Sequence, residues 1–116
     1  MAPNRPELVF AGLAGAVGVA AAAASAHGAD ERMWSAVALV ALSHAAAFIG
    51  LSLAGRERQW MRYATLAIAI GVALFVGDLT LRALIGERLF PMAAPTGGVV
   101  MIAGWLGVAV AALFQR

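Results

Sequence analysis

Four long apolar runs, separated by three short polar stretches, organise the chain. They cover roughly residues 8–26, 33–54, 61–85 and 96–114. A helix rises 1.5 Å per residue, so each run suffices to cross about 30 Å of hydrocarbon. The intervening stretches, 27–32, 55–60 and 86–95, are short. Short connections make consecutive helices antiparallel neighbours. All four prolines (Pro3, Pro6, Pro91, Pro95) lie outside the runs or at a boundary. Pro95 stands where a helix-starting proline is tolerated. The pattern predicts an all-α integral membrane bundle of four antiparallel transmembrane helices. It forms one domain over residues 1–116, with both termini on the same side.

Composition narrows the solvent to lipid. Of 116 residues, 63% are apolar and 12% charged, against about 25% charged in a soluble domain. Mean hydropathy is +0.89. A soluble globule cannot cover its surface with so few charges, and a disordered chain is not this apolar. There is no cysteine, which removes disulfides, thiolate catalysis and cysteine-ligated metals. The net charge of +2 comes from eight Arg and six acids. The arginines are scattered, so no nucleic-acid partner is expected despite a pI near 10.5. Arg without Lys, beside abundant Ala and Gly, has the look of a GC-rich bacterial genome.

Arginine also sets the expected orientation. The side holding the termini and the second connection carries Arg5, Arg56, Arg58, Arg62 and Arg116. The other carries Arg32, Arg82 and Arg88, offset by Asp30, Glu31 and Glu87. The excess predicts a multi-pass protein with cytoplasmic termini. Trp34 and Trp60 sit at span ends as interfacial anchors. Ala24-Ser25-Ala26 has the small residues of a signal-peptide cleavage site. Glu7, opening the first run, argues for a retained helix instead.

Helices in lipid associate through close backbone approach. The first run offers Gly12, Gly15 and Gly18. The third offers Thr65, Ala69, Ala73 and Gly77. The fourth offers Gly97, Gly98, Gly104 and Gly107, with Ala103–Gly107–Ala111 four apart. Such faces serve packing within one bundle or contact between subunits.

Ionisable groups at membrane depth are costly and default to functional hypotheses. His44 lies roughly 15 Å below Trp34, Asp78 roughly 10 Å below Ile85, and Trp105 roughly 13–14 Å into the fourth run. These three fall in one broad layer and, with Arg82, form a candidate polar intramembrane site of His44, Asp78, Arg82 and Trp105. A His–carboxylate pair there could relay a proton. The blander reading is an Asp78–Arg82 pair at helical spacing, with Arg82 snorkelling, and a neutral His44 bonded to a neighbouring helix. Ser43 offers a further hydrogen-bonding group, though it is expected to face a different direction from His44. His27, at the end of the first helix, is expected to bind backbone carbonyls there. It matches no metal-ligand spacing. No nucleophile elbow, phosphate loop or metalloprotease motif appears, so neither an enzyme nor a cofactor is expected.

Several motifs resemble those of a known family. They are Ala26-His27-Gly28, His44-Ala45, Phe75-x-Gly77-x-Leu79, and Pro95-x-Gly97-Gly98 followed after five residues by Gly104-Trp105. Together they are similar to the domain of unknown function 423 family, small four-helix bacterial membrane proteins with mitochondrial relatives. The resemblance implies the four-helix fold and an inner-membrane address, and it supplies no activity. Ser43 replaces the family's usual aromatic, and Asp78 its frequent serine, so a shared role would rest on His27, His44 and the 95–105 stretch. Physically, His27, Gly28, Pro95, Gly97 and Gly98 suggest an interfacial corner where the fourth helix approaches the first.

The leading functional expectation is action by association, as an oligomer or an accessory subunit of a larger complex. The alternatives are a proton or small-solute pathway through His44, Asp78 and Arg82, and lipid-headgroup handling by Trp34, His27, Arg82 and Arg88.

Overall fold

The computed structural model describes residues 5–28, 30–53 and 59–114. Ala54, Arg56, Arg58 and Arg116 of the expectations above lie outside the described residues. Among the described residues four helices occur: α1 (Arg5–His27), α2 (Glu31–Leu51), α3 (Gln59–Ile85) and α4 (Ala93–Leu113). Each is long and apolar enough to cross a membrane. The boundaries differ from the expected ones by a few residues at their starts. The largest shifts are at α1, which begins at Arg5 rather than at Leu8, and α4, which begins at Ala93 rather than at Thr96. Pro95 instead occupies the first turn, where its missing N–H has no intrahelical partner to lose. The first helical turn is closed by Trp34 N–H to Asp30 O in α2 and Thr96 N–H to Met92 O in α4. Asp30 and Met92 both hold positive φ at these starts. The end of α3 is simpler: Gly86, at φ 76°, donates its N–H to Arg82 O. That left-handed position favours a residue without Cβ.

The helices pack in chain order, α1 on α2, α2 on α3 and α3 on α4. The outer two seams are tight and the middle one is thinner. Along α1–α2, Phe10 stacks on Phe48 with ring centroids 4.7 Å apart. A Cβ at Gly15 would lie 3.8 Å from Ala45 Cβ, and one at Gly18 would meet Leu42 at 2.6 Å. Ser25 Oγ and Ser35 Oγ close the far end at 2.7 Å.

Along α3–α4 the backbones themselves meet. A Cβ at Gly71 would fall 2.7 Å from Gly97 O, and one at Gly97 the same distance from Gly71 O. Gly104 sits against Ile68 and Gly107 against Ala64. The seam therefore runs through Ala64, Ile68 and Gly71. The expected Thr65–Ala69–Ala73–Gly77 stripe is not that surface: Ala73 is exposed, and Gly77 faces Leu89.

Two core clusters lie along the long axis, each drawing on all four helices. One contains Ala11, Phe48, Ile68, Val72 and Met101. The other contains Ala21, Val37, Ala38, Leu79 and Ala94. The molecule measures 49 × 28 × 18 Å. Its long axis exceeds the hydrocarbon thickness of about 30 Å, leaving the helix ends at headgroup level.

Candidate functional site

The four intramembrane candidates form two polar pairs. The first joins α2 to α4. Trp105 Nε1–H donates to His44 Nε2 at 3.1 Å, and the two rings sit 5.8 Å apart in a tilted arrangement. His44 Nδ1 lies 2.8 Å from Val40 O, one turn back on its own helix. An imidazole that accepts at Nε2 and faces a carbonyl at Nδ1 fits the neutral Nδ1–H tautomer. Ser43 does not turn away as expected. Its Oγ lies 3.3 Å from His44 Nδ1 and donates to the same Val40 O at 3.2 Å. The hydroxyl folds back along its helix, a habit of serine within helices, and so comes beside the ring.

Replacing Trp105 with Phe tests this pair. Packing is largely kept, but His44 Nε2 loses its donor. Interhelical hydrogen bonds in membranes contribute about 0.6–2 kcal/mol, so a loss in that range is expected in detergent unfolding. The imidazole 15N signals should move with it. An unchanged His44 Nε2 resonance would mean the bond is absent in solution.

The second pair is anchored on Asp78, which is only 1% exposed. Arg82 Nη2 donates to Asp78 Oδ2 at 3.0 Å, one turn away on α3. Leu89 N–H donates to Asp78 Oδ1 at 2.9 Å. One carboxylate thus holds the helix and the connection leading to α4. Arg82 Nε and Thr80 Oγ1 are buried without a hydrogen-bond partner among the described residues. No hydrogen bond or ion pair links His44–Trp105 with Asp78–Arg82 among the described residues.

The corner residues are distributed differently from the expectation. His27 is exposed, and its Nδ1 lies 3.0 Å from Ala23 O. Gly28 donates to Ala24 O at 2.9 Å, so both finish α1. Pro95 is exposed in the first turn of α4. Gly97 approaches α3, through Gly71 O, Phe75 N and Leu74 Cβ, rather than the His27–Gly28 end of α1. Gly98 has open space around it. The reason is geometric: α4 is bound along its length to α3, so the close-approach glycine serves that seam.

Three contributors escaped the sequence. Gly71 shares with Gly97 the closest backbone approach among the described glycines, 2.7 Å, and it lies four residues after Ala67. Its spacing from Ala64 and Ile68 was the available signal. The Ser25–Ser35 clip depends on the turn between α1 and α2. Leu89 contributes a backbone N–H, which no side chain announces. Among the described residues no three His, Cys, Asp or Glu side chains gather around a common point.

Comparison with known proteins gives one family. The model of a family described as "Protein of unknown function (DUF423)" matches residues 14–98. The chain is 35% identical over 119 residues to the UPF0382 inner membrane protein YgdD of Escherichia coli K12, covering 95% of this chain and 91% of the relative. The YgdD protein of Shigella flexneri matches to the same extent. No solved structure matches.

Proposed function

The chain belongs to the DUF423 family, and from that premise we propose that it is a multi-pass protein of the bacterial inner membrane that acts by association, as an oligomer or an accessory subunit. The name of the YgdD relatives supports the address. The order of contacts supports an antiparallel bundle. As α1 positions ascend through 10, 15, 18 and 25, their partners on α2 descend through 48, 45, 42 and 35. The α3–α4 contacts descend likewise, from Ala64–Gly107 to Gly71–Gly97. Four antiparallel spans support termini on one side, and the arginine excess expected there supports a cytoplasmic assignment.

The observation that carries association is on the outer face of α1. Gly12, Ala16 and Ala20 are all exposed and four residues apart, and Gly12 has nothing within 4 Å of a would-be Cβ. Gly15 and Gly18 are consumed by the α1–α2 seam, whereas this stripe is left over. Small residues at that spacing admit a second backbone closely in lipid. The two polar pairs, in this reading, fasten the helices rather than pass protons, since no hydrogen bond among the described residues joins one pair to the other.

The paired change Gly12→Leu with Ala16→Leu tests the proposal. It should weaken association in lipid discs by about tenfold, equivalent to about 1.4 kcal/mol, with helix content and single-chain stability unchanged. A wild-type protein that is a single chain at every protein-to-lipid ratio, with no co-purifying partner, would overturn it.

A further inference from the structure

A groove of about 410 Å³ opens between α1, α2 and α3, at the end of the molecule where α1 and α3 begin. Its size lies within the range of small-molecule sites. Its lining is ordered along its length. At the mouth stand Glu7, Arg62 and Tyr63; below them are Phe10, Phe48 and Ala69. Arg62 to Ala69 is seven residues, about 10 Å along α3. Below the mouth, the Thr65 hydroxyl donates to Met61 O of its own helix at 2.9 Å. The lower groove is therefore apolar in practice, while among the described lining residues the mouth carries one cation and one anion. Beside it, Trp60 and Tyr63 meet edge to face at 5.9 Å, a placement that suits a headgroup boundary.

We propose that this groove binds one phospholipid with a phosphoethanolamine headgroup, an acyl chain lying against Phe10, Phe48 and Ala69. A guanidinium suits the phosphate, which it can grip with two parallel hydrogen bonds. The carboxylate suits the ammonium. Glu7 makes a contact of its own, but a carboxylate offers about four acceptor sites, so it can take an ammonium as well. The Glu7 carboxylate at the mouth distinguishes this lipid from one whose headgroup has no ammonium to pair with it. It also distinguishes it from choline, whose quaternary nitrogen has no N–H to give. A soluble zwitterion would leave the apolar part of the groove empty, and a polypeptide segment would not need the change from charged to apolar within 10 Å. The site is separate from the association stripe and stands whether or not the chain oligomerises.

The test uses the full-length protein reconstituted into lipid discs of equal phosphatidylethanolamine, phosphatidylcholine and phosphatidylglycerol, with lipid retention read by native mass spectrometry. One phosphatidylethanolamine per chain should be retained, preferred over each of the others by about tenfold, as expected for one or two charge-assisted hydrogen bonds. Arg62→Ala should lower retention of all three by a similar factor. Glu7→Gln should keep a lipid but erase the preference for ethanolamine over choline. Ala69→Phe should block the groove. Arg62 and Glu7 stand at the mouth, so these variants decide the matter even if Ala69→Phe disturbs folding. Equal retention by wild type and Arg62→Ala would overturn the proposal, because the lipid would then be generic annular lipid. It would also fall if soluble phosphoethanolamine protected the detergent-solubilised protein against heat as well as the whole lipid does, or if a polypeptide occupied the groove.

Discussion

Gly71→Ala and Gly97→Ala should each destabilise the protein by about 2–3 kcal/mol, although alanine is the better helix former by about 1 kcal/mol. At both positions the added methyl would sit 2.7 Å from a backbone carbonyl of the opposing helix. A flexible side chain could swing away, but a helical carbonyl cannot move without its helix. The α3–α4 seam must open along its length, and dispersion contacts of Ile68 with Gly104 weaken together. In lipid no hydrophobic term compensates, because exposed and buried apolar surface are solvated alike. Gly98→Ala is the matched control. It is one residue from Gly97 but has nothing within 4 Å, so it should be neutral or slightly stabilising. Unfolding in mixed micelles by increasing sodium dodecyl sulfate measures all three. If Gly71→Ala were as stable as Gly98→Ala, the helices would not approach by backbone contact.

The other large effect belongs to Asp78→Ala. Removing one partner of a buried ion pair costs about 3–5 kcal/mol. The Arg82 side chain is 27% exposed and can reach the boundary, so the lower end, about 3 kcal/mol, is expected. Part of that loss is the orphaned Leu89 N–H, which frees the connection ahead of α4. Asp78→Asn keeps an acceptor for Leu89 and should lose about half as much. Replacing both partners, Asp78→Leu with Arg82→Leu, should fall well short of the single change, since no charge is left uncompensated. The same micelle titration reads stability. Hydrogen exchange at Leu89 separates the two contributions: it should accelerate in Asp78→Ala and stay slow in Asp78→Asn. Equal protection in both variants would show that the carboxylate does not hold that N–H.

Length and hydropathy made the four helices legible, because lipid demands that every backbone group be satisfied within a long apolar segment. The Asp78–Arg82 contact was legible for a local reason: four residues on one helix face fix the geometry. His44 and Trp105 could be assigned a common layer from depth alone, but depth gives no azimuth, so their hydrogen bond was not readable. The same missing azimuth misplaced Gly97. Spacing of small residues identifies a face without saying which helix meets it, and α4 turned its glycines toward α3. Gly71 went unnoticed because the stripe chosen on the third run, Thr65–Ala69–Ala73–Gly77, lies on a different face from Ala67 and Gly71.

The bond between His44 and Trp105 also has a consequence in time. Its partners are 61 residues apart, and ribosomes add about 5–20 residues per second. For about 3–12 s of synthesis, the acceptor on the second helix exists before its donor has been made. During that interval the imidazole must be served by water or lipid headgroups. The nascent first hairpin therefore cannot complete its polar bonding when it enters the bilayer, and arrival of the last helix finishes it.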